Sequence, residues 1–482
     1  MEQVEEGVVG AITNHAWLDN PTFKGMRRSL METFNQVYAL DLHGNAKKQE
    51  RAPDGGPDEN IFDIEQGVAV SLFIKSPSAE RGVWHADVWG KRIAKYKALA
   101  EASITSVPWT RLQPGPPDWL LKPQDVDLAH RYREFWSIPA IFAPIGDPAP
   151  GVVTTHDEFA ISFTKEEAED KVRKLLSTAN EREARRLFRL CSQSQWSYSR
   201  AKADLPNLDL EKSTVKLTYR PFDDRWTIWD RNVTVHRRER VMQHMLRPNI
   251  GLIFVRQIAH SSQAVSVYAL VTSNVIDNRA FLSNKGIAYI APLRLAENQE
   301  NLSLDFRAFL DSRYEHHYTP EEVLGYVYAV LHAPTYRTRY AEFLRTEFPR
   351  VPFPEAAADF ETLSGLGWAL VQAHLLRELP RRGFATYCGQ GNDTVEAVRY
   401  SPVDQAIAIN KSQSFRPVPQ PVWEFHIGGY QVLDKYLKSR KGRALSLDEI
   451  NHVGAVADSL AFTIEQIARI DEAYRSAFPE RG

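Results

Sequence analysis

The sequence predicts an α/β segment followed by a mixed α+β region with a helical end. Apolar strand-like runs alternate with a helical stretch near the start, short β-branched runs follow, and helical periodicity dominates from Asn301 onward. At 482 residues the chain exceeds the usual size of one core, so two or three domains are expected.

Gly7 to Thr13 reads as a short buried strand, Phe23 to Phe34 has helical spacing, and Val37 to Asp41 and Gly67 to Ile74 give two more strands. Their apolar character predicts strands covered on both faces. Gly44 to Glu59, rich in Gly, Pro, Lys and Asp, is expected to be a mobile surface loop. Pro108 to Pro123, with five prolines and two tryptophans, reads as a connector and places a boundary near residue 110.

From Trp136 to Phe163 aromatic and β-branched residues alternate with turn signals such as Gly146-Asp147-Pro148, and Lys165 to Leu190 is a densely charged helical stretch. Strands are expected at Lys216 to Tyr219, Ile250 to Phe254 and Val265 to Leu270. Helices are expected at Glu321 to Leu331, Tyr336 to Leu344, Leu363 to Leu376 and Leu460 to Ala473. The domain expectation is therefore 1–110, 111–300 and 301–482.

Hydrophobic residues at 43% and charged residues at 25% are ordinary for a folded globular chain and argue against disorder. Lysine and arginine total 59 against 61 acids, so the net charge of -2 gives no global field for nucleic acid or anionic lipid. Any nucleic-acid site has to be a local patch. Cys191 and Cys388 cannot build a disulfide framework or a four-thiolate zinc site. No apolar run approaches the roughly 18 residues of a membrane span, and the first residues lack a basic signal region. A cytoplasmic protein with no membrane partner is expected.

Thr13 to Asn20 is a strand end followed by polar residues, the place where open α/β sheets put ligands. The plainer reading is a turn in which Asn14 and Asp19 cap backbone groups, and the ligand site stays open as the lesser one. Tyr219 to His260 carries arginines at 220, 225, 231, 237, 238, 240, 247 and 256 and no lysine, against Asp223, Asp224, Asp230 and Glu239. That local excess is what a phosphate-contacting surface needs, and the guanidinium fork can read guanine edges. Arg-Asp alternation also builds ordinary salt bridges, so an internally paired surface is the standing alternative. Tyr219, Phe222, Trp226 and Trp229 are expected to pack beneath the arginines.

Tyr326 to Tyr340 reads as a helix, a proline break and a second helix, with His332 a satisfied core histidine and Arg337 and Arg339 candidates to face phosphate. There is no Walker-type loop, no paired His/Cys spacing for zinc, and no Gly-x-Ser-x-Gly elbow, so no metal site is expected. Glu169-Asp170-Lys171 has the carboxylate-x-lysine form of nucleases but lies in a charged helix, where chance produces it.

Four stretches carry a resemblance that composition does not give: Gly7 to His15, Leu18 to Arg27, Leu40-Asp41-Leu42-His43-Gly44-Asn45, and Asp58 to Ile64. They resemble the back half of the adenine-N6 methyltransferase domain of type ISP restriction-modification enzymes, large chains that combine nuclease, helicase-like motor, methyltransferase and target recognition. Tyr219-Arg220-Pro221-Phe222-Asp223, Arg238 to Met242, Tyr326 to Tyr340, Phe348 to Pro352 and Val422 to Tyr430 resemble the C-terminal specificity region of the same family.

The resemblance implies a partial Rossmann-like methyltransferase sheet over 1–110 and a target-recognition domain with a mixed lobe over 111–300 and a mainly helical lobe over 301–482. It implies double-stranded DNA as partner, a bacterial restriction-modification role in phage defence, and Arg220, Arg225, Arg231, Arg237, Arg238, Arg240, Arg256, Arg337 and Arg339 as DNA contacts. Asn14 and His15 would border the adenine pocket. The chain departs from the family in lacking both the glycine-rich S-adenosylmethionine turn and the Pro-Pro-aromatic catalytic motif. Asn20-Pro21-Thr22-Phe23 has Thr22 in place of the second proline. No catalytic residue is therefore assigned, and S-adenosylmethionine is expected only if an upstream methyltransferase, helicase or nuclease polypeptide complements the chain. Three expectations stand: a DNA-recognition module, an adenine methyltransferase completed in trans, and a non-functional truncated fragment.

Overall fold

The computed structural model describes residues 4–46, 50–116, 118–123, 125–142, 148–258, 266–281, 286–296 and 299–479. The chain divides into two compact units, Met1–Arg131 and Tyr132–Gly482. Both are mixed α/β; the first holds one sheet, and the second holds several small sheets and a helical C-terminal part.

The first unit is built on one sheet. Its elements are β1 (Gly7–Asn14), α1 (Lys24–Thr33), β2 (Gln36–Asp41), β3 (Val68–Lys75), β4 (Gly82–Asp87), α2 (Arg92–Glu101) and β5 (Thr110–Leu112), in strand order β1-β3-β2-β4-β5. β3 runs antiparallel to both β1 and β2, with Gly7 opposite Lys75 and Gln36 opposite Ile74, while β2 and β4 are parallel. The carboxyl ends of β1, β2 and β4 therefore lie at the same edge of the sheet. One face packs Trp17, Leu18, Phe34, Val37, Ala39, Phe73 and Val83, and the other packs Leu40, Leu42, Ile61 and Ala86. The central strands are thus covered on both sides, as their apolar runs predict.

β1 is not the buried strand expected of it. It lies at the sheet edge, and Val8 and Ile12 are 64% and 59% exposed. Its apolar run is real, but no strand among the described residues pairs with its outer side. The proline-rich stretch expected as a connector supplies β5, which pairs with β4. Gly44 to Glu59 is also more than a surface loop, although Lys47, Lys48 and Gln49 lie outside the described residues. His43, Gly44 and Asn45 are buried, and Asp58 makes a fully buried 2.7 Å ion pair with Lys95 of α2. Gly44 has φ +77°, and a Cβ there would come within 2.4 Å of the Asn60 backbone, so only glycine fits.

In the second unit a four-stranded sheet orders β10-β9-β12-β6 and a three-stranded sheet orders β11-β7-β8. These strands are β6 (Ala149–Pro150), β7 (Thr214–Arg220), β8 (Asp223–Ile228), β9 (Gly251–Val255), β10 (Ala269–Thr272), β11 (Val275–Ile276) and β12 (Ala288–Pro292). The charged stretch from Lys165 forms α3 (Lys165–Ser177) and α4 (Glu181–Phe188), each opened by a side-chain cap, Thr164 and Asn180. Gly146, Asp147, His260 and Val265, which belong to elements expected from sequence, lie outside the described residues.

The helical end holds α5 (Pro320–His332), α6 (Pro334–Arg339), α7 (Ala357–His374), α8 (Val432–Lys438) and α9 (Leu447–Ala477). α5 is buried from Val323 to His332 on all sides, and Gly367 of α7 meets it so closely that a Cβ would sit 1.9 Å from the Gly325 carbonyl oxygen. The region is not purely helical. Thr386–Cys388, Arg399–Ser401, Ala406–Ala408 and Ser414–Arg416 form a small sheet of three-residue strands, too short to register as period-two alternation.

Candidate nucleic-acid interface and strand-end polar cluster

The arginines of Tyr219 to His260 separate into an inner and an outer set. β8 places Asp223 and Arg225 two residues apart, on one face of the strand. Asp223 is 0% exposed and accepts two hydrogen bonds from Arg225, at 2.8 and 2.7 Å, and one from Arg440, at 3.0 Å. Burial works against its charged form, but the two guanidiniums hold the carboxyl below its ordinary range. Arg440 also donates to Glu449 at 2.8 Å, and the Phe163 ring lies between the guanidiniums of Arg225 and Arg443, at 3.7 and 3.5 Å. Arg220 is buried, pairs with Asp277 at 3.0 Å and stacks on Tyr219 at 3.7 Å.

The outer set lies on the segment between β8 and β9, apart from Arg256, which directly follows β9. Arg231 is exposed and 3.2 Å from Asp204, whereas Arg237 is half-buried, 3.0 Å from Glu239 and over Trp229. Arg238, Arg240, Arg247 and Arg256 are exposed, with Arg256 over the Phe348 ring at 5.7 Å. The short helix Glu239–Met242 is anchored by Val241 and Met242, which are fully buried, so the flanking arginines are held outward by an apolar foot. Phe222 is buried and Tyr219, Trp226 and Trp229 are half-buried, the packing role expected of them.

Of the two arginines after the proline break, Arg337 is buried and donates to the carbonyls of Leu331 and His332, and burial pulls its pKa down to about 10. Arg339 is half-buried. His332 is a buried core histidine donating to the Tyr328 carbonyl at 2.7 Å. Lys171 of the Glu169-Asp170-Lys171 triplet donates to the Ile161 carbonyl, while Arg173 pairs with both acids of the triplet.

In the first unit the two residues singled out at the strand end behave differently. Asn14 is exposed and its side chain caps the following turn, accepting from the Ala16 N–H at 2.9 Å. Asp19 closes the same turn through its backbone N–H, which donates to the Ala16 carbonyl, while its carboxylate lies 3.5 Å from the Lys122 ammonium. His15 is 1% exposed and its Nδ1 donates to Asp41 at 2.9 Å, while a Cβ on Gly67 would clash with its ring.

Around His15 the carboxyl ends of β1, β2 and β4 gather a polar cluster. Asp41 also accepts from the His43 N–H at 3.0 Å and lies 3.0 Å from the Lys122 ammonium. The His43 Nε2 donates to Asp87 at 2.7 Å, and its ring stacks on Trp89 with centroids 3.3 Å apart. Burial opposes charge on Asp41, yet the His15 hydrogen bond and Lys122 hold its carboxyl far below the ordinary range. Burial likewise opposes charge on His43, but Asp87 and the neighbouring carboxylates raise its pKa. Glu50 is lowered against its burial, and His85 is pushed down by burial.

Sequence reading singled out His15 but missed Glu50, His85, Asp87 and Lys122. The available signal was two strands ending in charged i, i+2 pairs, Asp41/His43 and His85/Asp87. Parallel pairing sets Asp41 beside Asp87.

By class, this is a two-unit mixed α/β protein that displays arginines on a segment braced by buried ion pairs. The family model described as the type ISP C-terminal specificity domain matches residues 146–466, and the chain belongs to that family. No curated protein matches.

Among solved structures, the chain is similar to a DrdV–DNA complex determined by cryo-electron microscopy. That match has TM-score 0.68 and 20% identity, covering 97% of this chain and 51% of that one. It is also similar to a nuclease-deletion mutant of the type ISP restriction-modification enzyme LlaGI in complex with a DNA substrate mimic, at TM-score 0.66 and 18% identity, covering 96% and 39%. A third is the ATP-dependent type ISP restriction-modification enzyme LlaBIII bound to DNA, at TM-score 0.68 and 18% identity, covering 99% and 33%. The chain spans about half or less of these proteins' lengths, and at such identities the likeness shows the fold alone. No helix of the described residues is long and apolar enough to cross a membrane.

Proposed function

We propose that this chain recognises a double-stranded DNA sequence as the specificity part of a bacterial, cytoplasmic type ISP restriction-modification system acting in phage defence. Its membership of the specificity-domain family carries the reading, and the DNA complexes of the three solved neighbours named above support it. The outer arginines, Arg231, Arg237, Arg238, Arg240 and Arg256, are the phosphate and base contacts of this reading, with Arg339 as a further one. Arg220, Arg225 and Arg337 support it from within, holding the segments that carry the others. Fluorescence anisotropy on a labelled duplex tests the proposal. Binding that weakens steeply between low and moderate salt, with no methyl donor present, is expected, and a flat response would overturn it.

A second reading has a specific observation behind it. The open edge of β1, with Val8 and Ile12 exposed, fits a sheet that continues into another polypeptide. In that reading the first unit is the back part of a Rossmann-like adenine-N6 methyltransferase sheet. An upstream polypeptide supplies the S-adenosylmethionine site and catalytic loop, and Asn14 and His15 border the adenine pocket. Methyl transfer to DNA by the mixture, but by neither chain alone, is the expected outcome. A cooperative thermal transition of the isolated chain would separate both readings from a non-functional fragment.

A further inference from the structure

We propose that His15, His43 and Glu50 form a binding site for a divalent transition-metal ion of the zinc type. One side-chain donor of each lies within 4.8 Å of the others, and both histidines are buried. A tetrahedral ion at about 2.0–2.2 Å from each ligand needs donors roughly 3.4 Å apart, so the three need close by at most about 1.5 Å. The half-buried Glu50 side chain supplies that movement, starting 4.0 Å from His43 Nδ1.

The hydrogen bonds at the far side of each ring leave the correct nitrogen for an ion. His15 gives its Nδ1 proton to Asp41 at 2.9 Å and His43 gives its Nε2 proton to Asp87 at 2.7 Å. In the neutral rings that bind a metal ion, the lone pairs fall on His15 Nε2 and His43 Nδ1, the latter 4.0 Å from the Glu50 carboxylate. A carboxylate behind each imidazole is the arrangement that orients metal-bound histidines and strengthens them as ligands. His43 Nδ1 is buried and makes no hydrogen bond, since 3.7 Å to Asp41 and 4.0 Å to Glu50 are both too long for one. His15 Nε2 receives only a 3.3 Å contact from the Asn45 amide, which an ion would displace.

Charge agrees. Asp19 and Asp41 lie 3.5 and 3.0 Å from the Lys122 ammonium, while Asp87 and Glu50 lie 2.7 and 4.0 Å from the His43 ring, so four carboxylates gather around one lysine and a divalent ion adds compensating positive charge. Two imidazoles and one carboxylate are borderline ligands that suit zinc, cobalt or ferrous iron rather than magnesium or calcium, and three ligands leave one position open for water. The glycine at position 67 and the stack of His43 on Trp89 fix both rings before any ion arrives.

The test uses the whole chain, stripped with a chelator and titrated with zinc, with cobalt(II) as the spectroscopic probe. One equivalent of zinc and the visible absorption of tetrahedral cobalt are expected. Glu50→Gln and His43→Gln should weaken binding by about 100-fold or more, and Asp87→Asn by roughly 10- to 100-fold, while the exposed His317→Gln leaves it unchanged. Circular dichroism confirms folding, and if His43→Gln does not fold, the partly exposed Glu50→Gln decides alone. Failure of the folded wild type to bind either ion at millimolar concentration, or wild-type affinity in folded Glu50→Gln, would overturn the site.

Discussion

The division of the arginines into inner and outer sets makes opposite predictions for stability and for DNA binding. Asp223→Ala removes the carboxylate that accepts three charged hydrogen bonds and leaves Arg225 and Arg440, 5% and 3% exposed, without it. Removing one partner of a buried ion pair costs about 3–5 kcal/mol, so Asp223→Ala should lose about 4 kcal/mol in urea unfolding. Glu449 still accepts from Arg440, which keeps the cost from doubling. Arg231→Ala breaks only the exposed pair with Asp204 and should cost under ~1 kcal/mol. DNA binding should show the reverse pattern. Under conditions where every variant is folded, Arg238→Ala and Arg240→Ala should each reduce the slope of log affinity against log salt by about 0.9, the mark of a lost phosphate contact. Asp223→Ala should leave that slope unchanged. Asp223→Ala within 1 kcal/mol of wild type, or a shallower salt slope in it than in Arg238→Ala, would refute the division.

The helical core should be acid-sensitive. Tyr328 donates to His374 Nδ1, and His374 Nε2 donates to Thr463, whose hydroxyl is committed to the Ser459 carbonyl, so a second ring proton has no place. Burial pushes the His374 pKa down to about 3. Its contribution to stability is intact above the unfolded value of about 6.5 and is lost as pH falls from there towards 3, about 2 kcal/mol by ~pH 5. Urea midpoints against pH should flatten in His374→Gln; an unchanged profile would contradict this. Gly367→Ala forces a methyl into the Gly325 carbonyl and should cost at least about 2 kcal/mol, read by thermal melting. Ile12→Lys changes a side chain that is 59% exposed and should leave the melting of this chain within ~0.5 kcal/mol, yet abolish co-purification with an upstream methyltransferase half.

The fold was legible where hydrophobic periodicity is strong and local. β2, β3 and α5 fall within a residue of their expected positions, because both faces of those strands and nearly every side of α5 are apolar, whereas α7 starts at Ala357, well before the expected Leu363. β4 went unread because Gly82-Val83-Trp84-His85-Ala86-Asp87 mixes apolar and charged residues, its character set by pairing with β2 rather than by its own pattern. The edge position of β1 was equally hidden, since an apolar strand reads the same whether its outer side is covered or open.

The candidate site was legible as chemistry but not as geometry. An arginine count cannot separate Arg225 from Arg238, because charge says nothing about which side of a strand a residue occupies. The period-two rule does part of that work: Asp223 and Arg225 share a face of β8, and a carboxylate beside a guanidinium on one face is already a pair. Arg220 is beyond such reasoning. Its partner Asp277 is 57 residues away and arrives only because β11 lies parallel to β7. Sequence reading of a cationic segment should therefore first subtract arginines with an acid two positions away on the same strand. Here that step removes Arg225 and leaves the arginines of 237–247, where Glu239 is the only acid among five basic side chains counting His244.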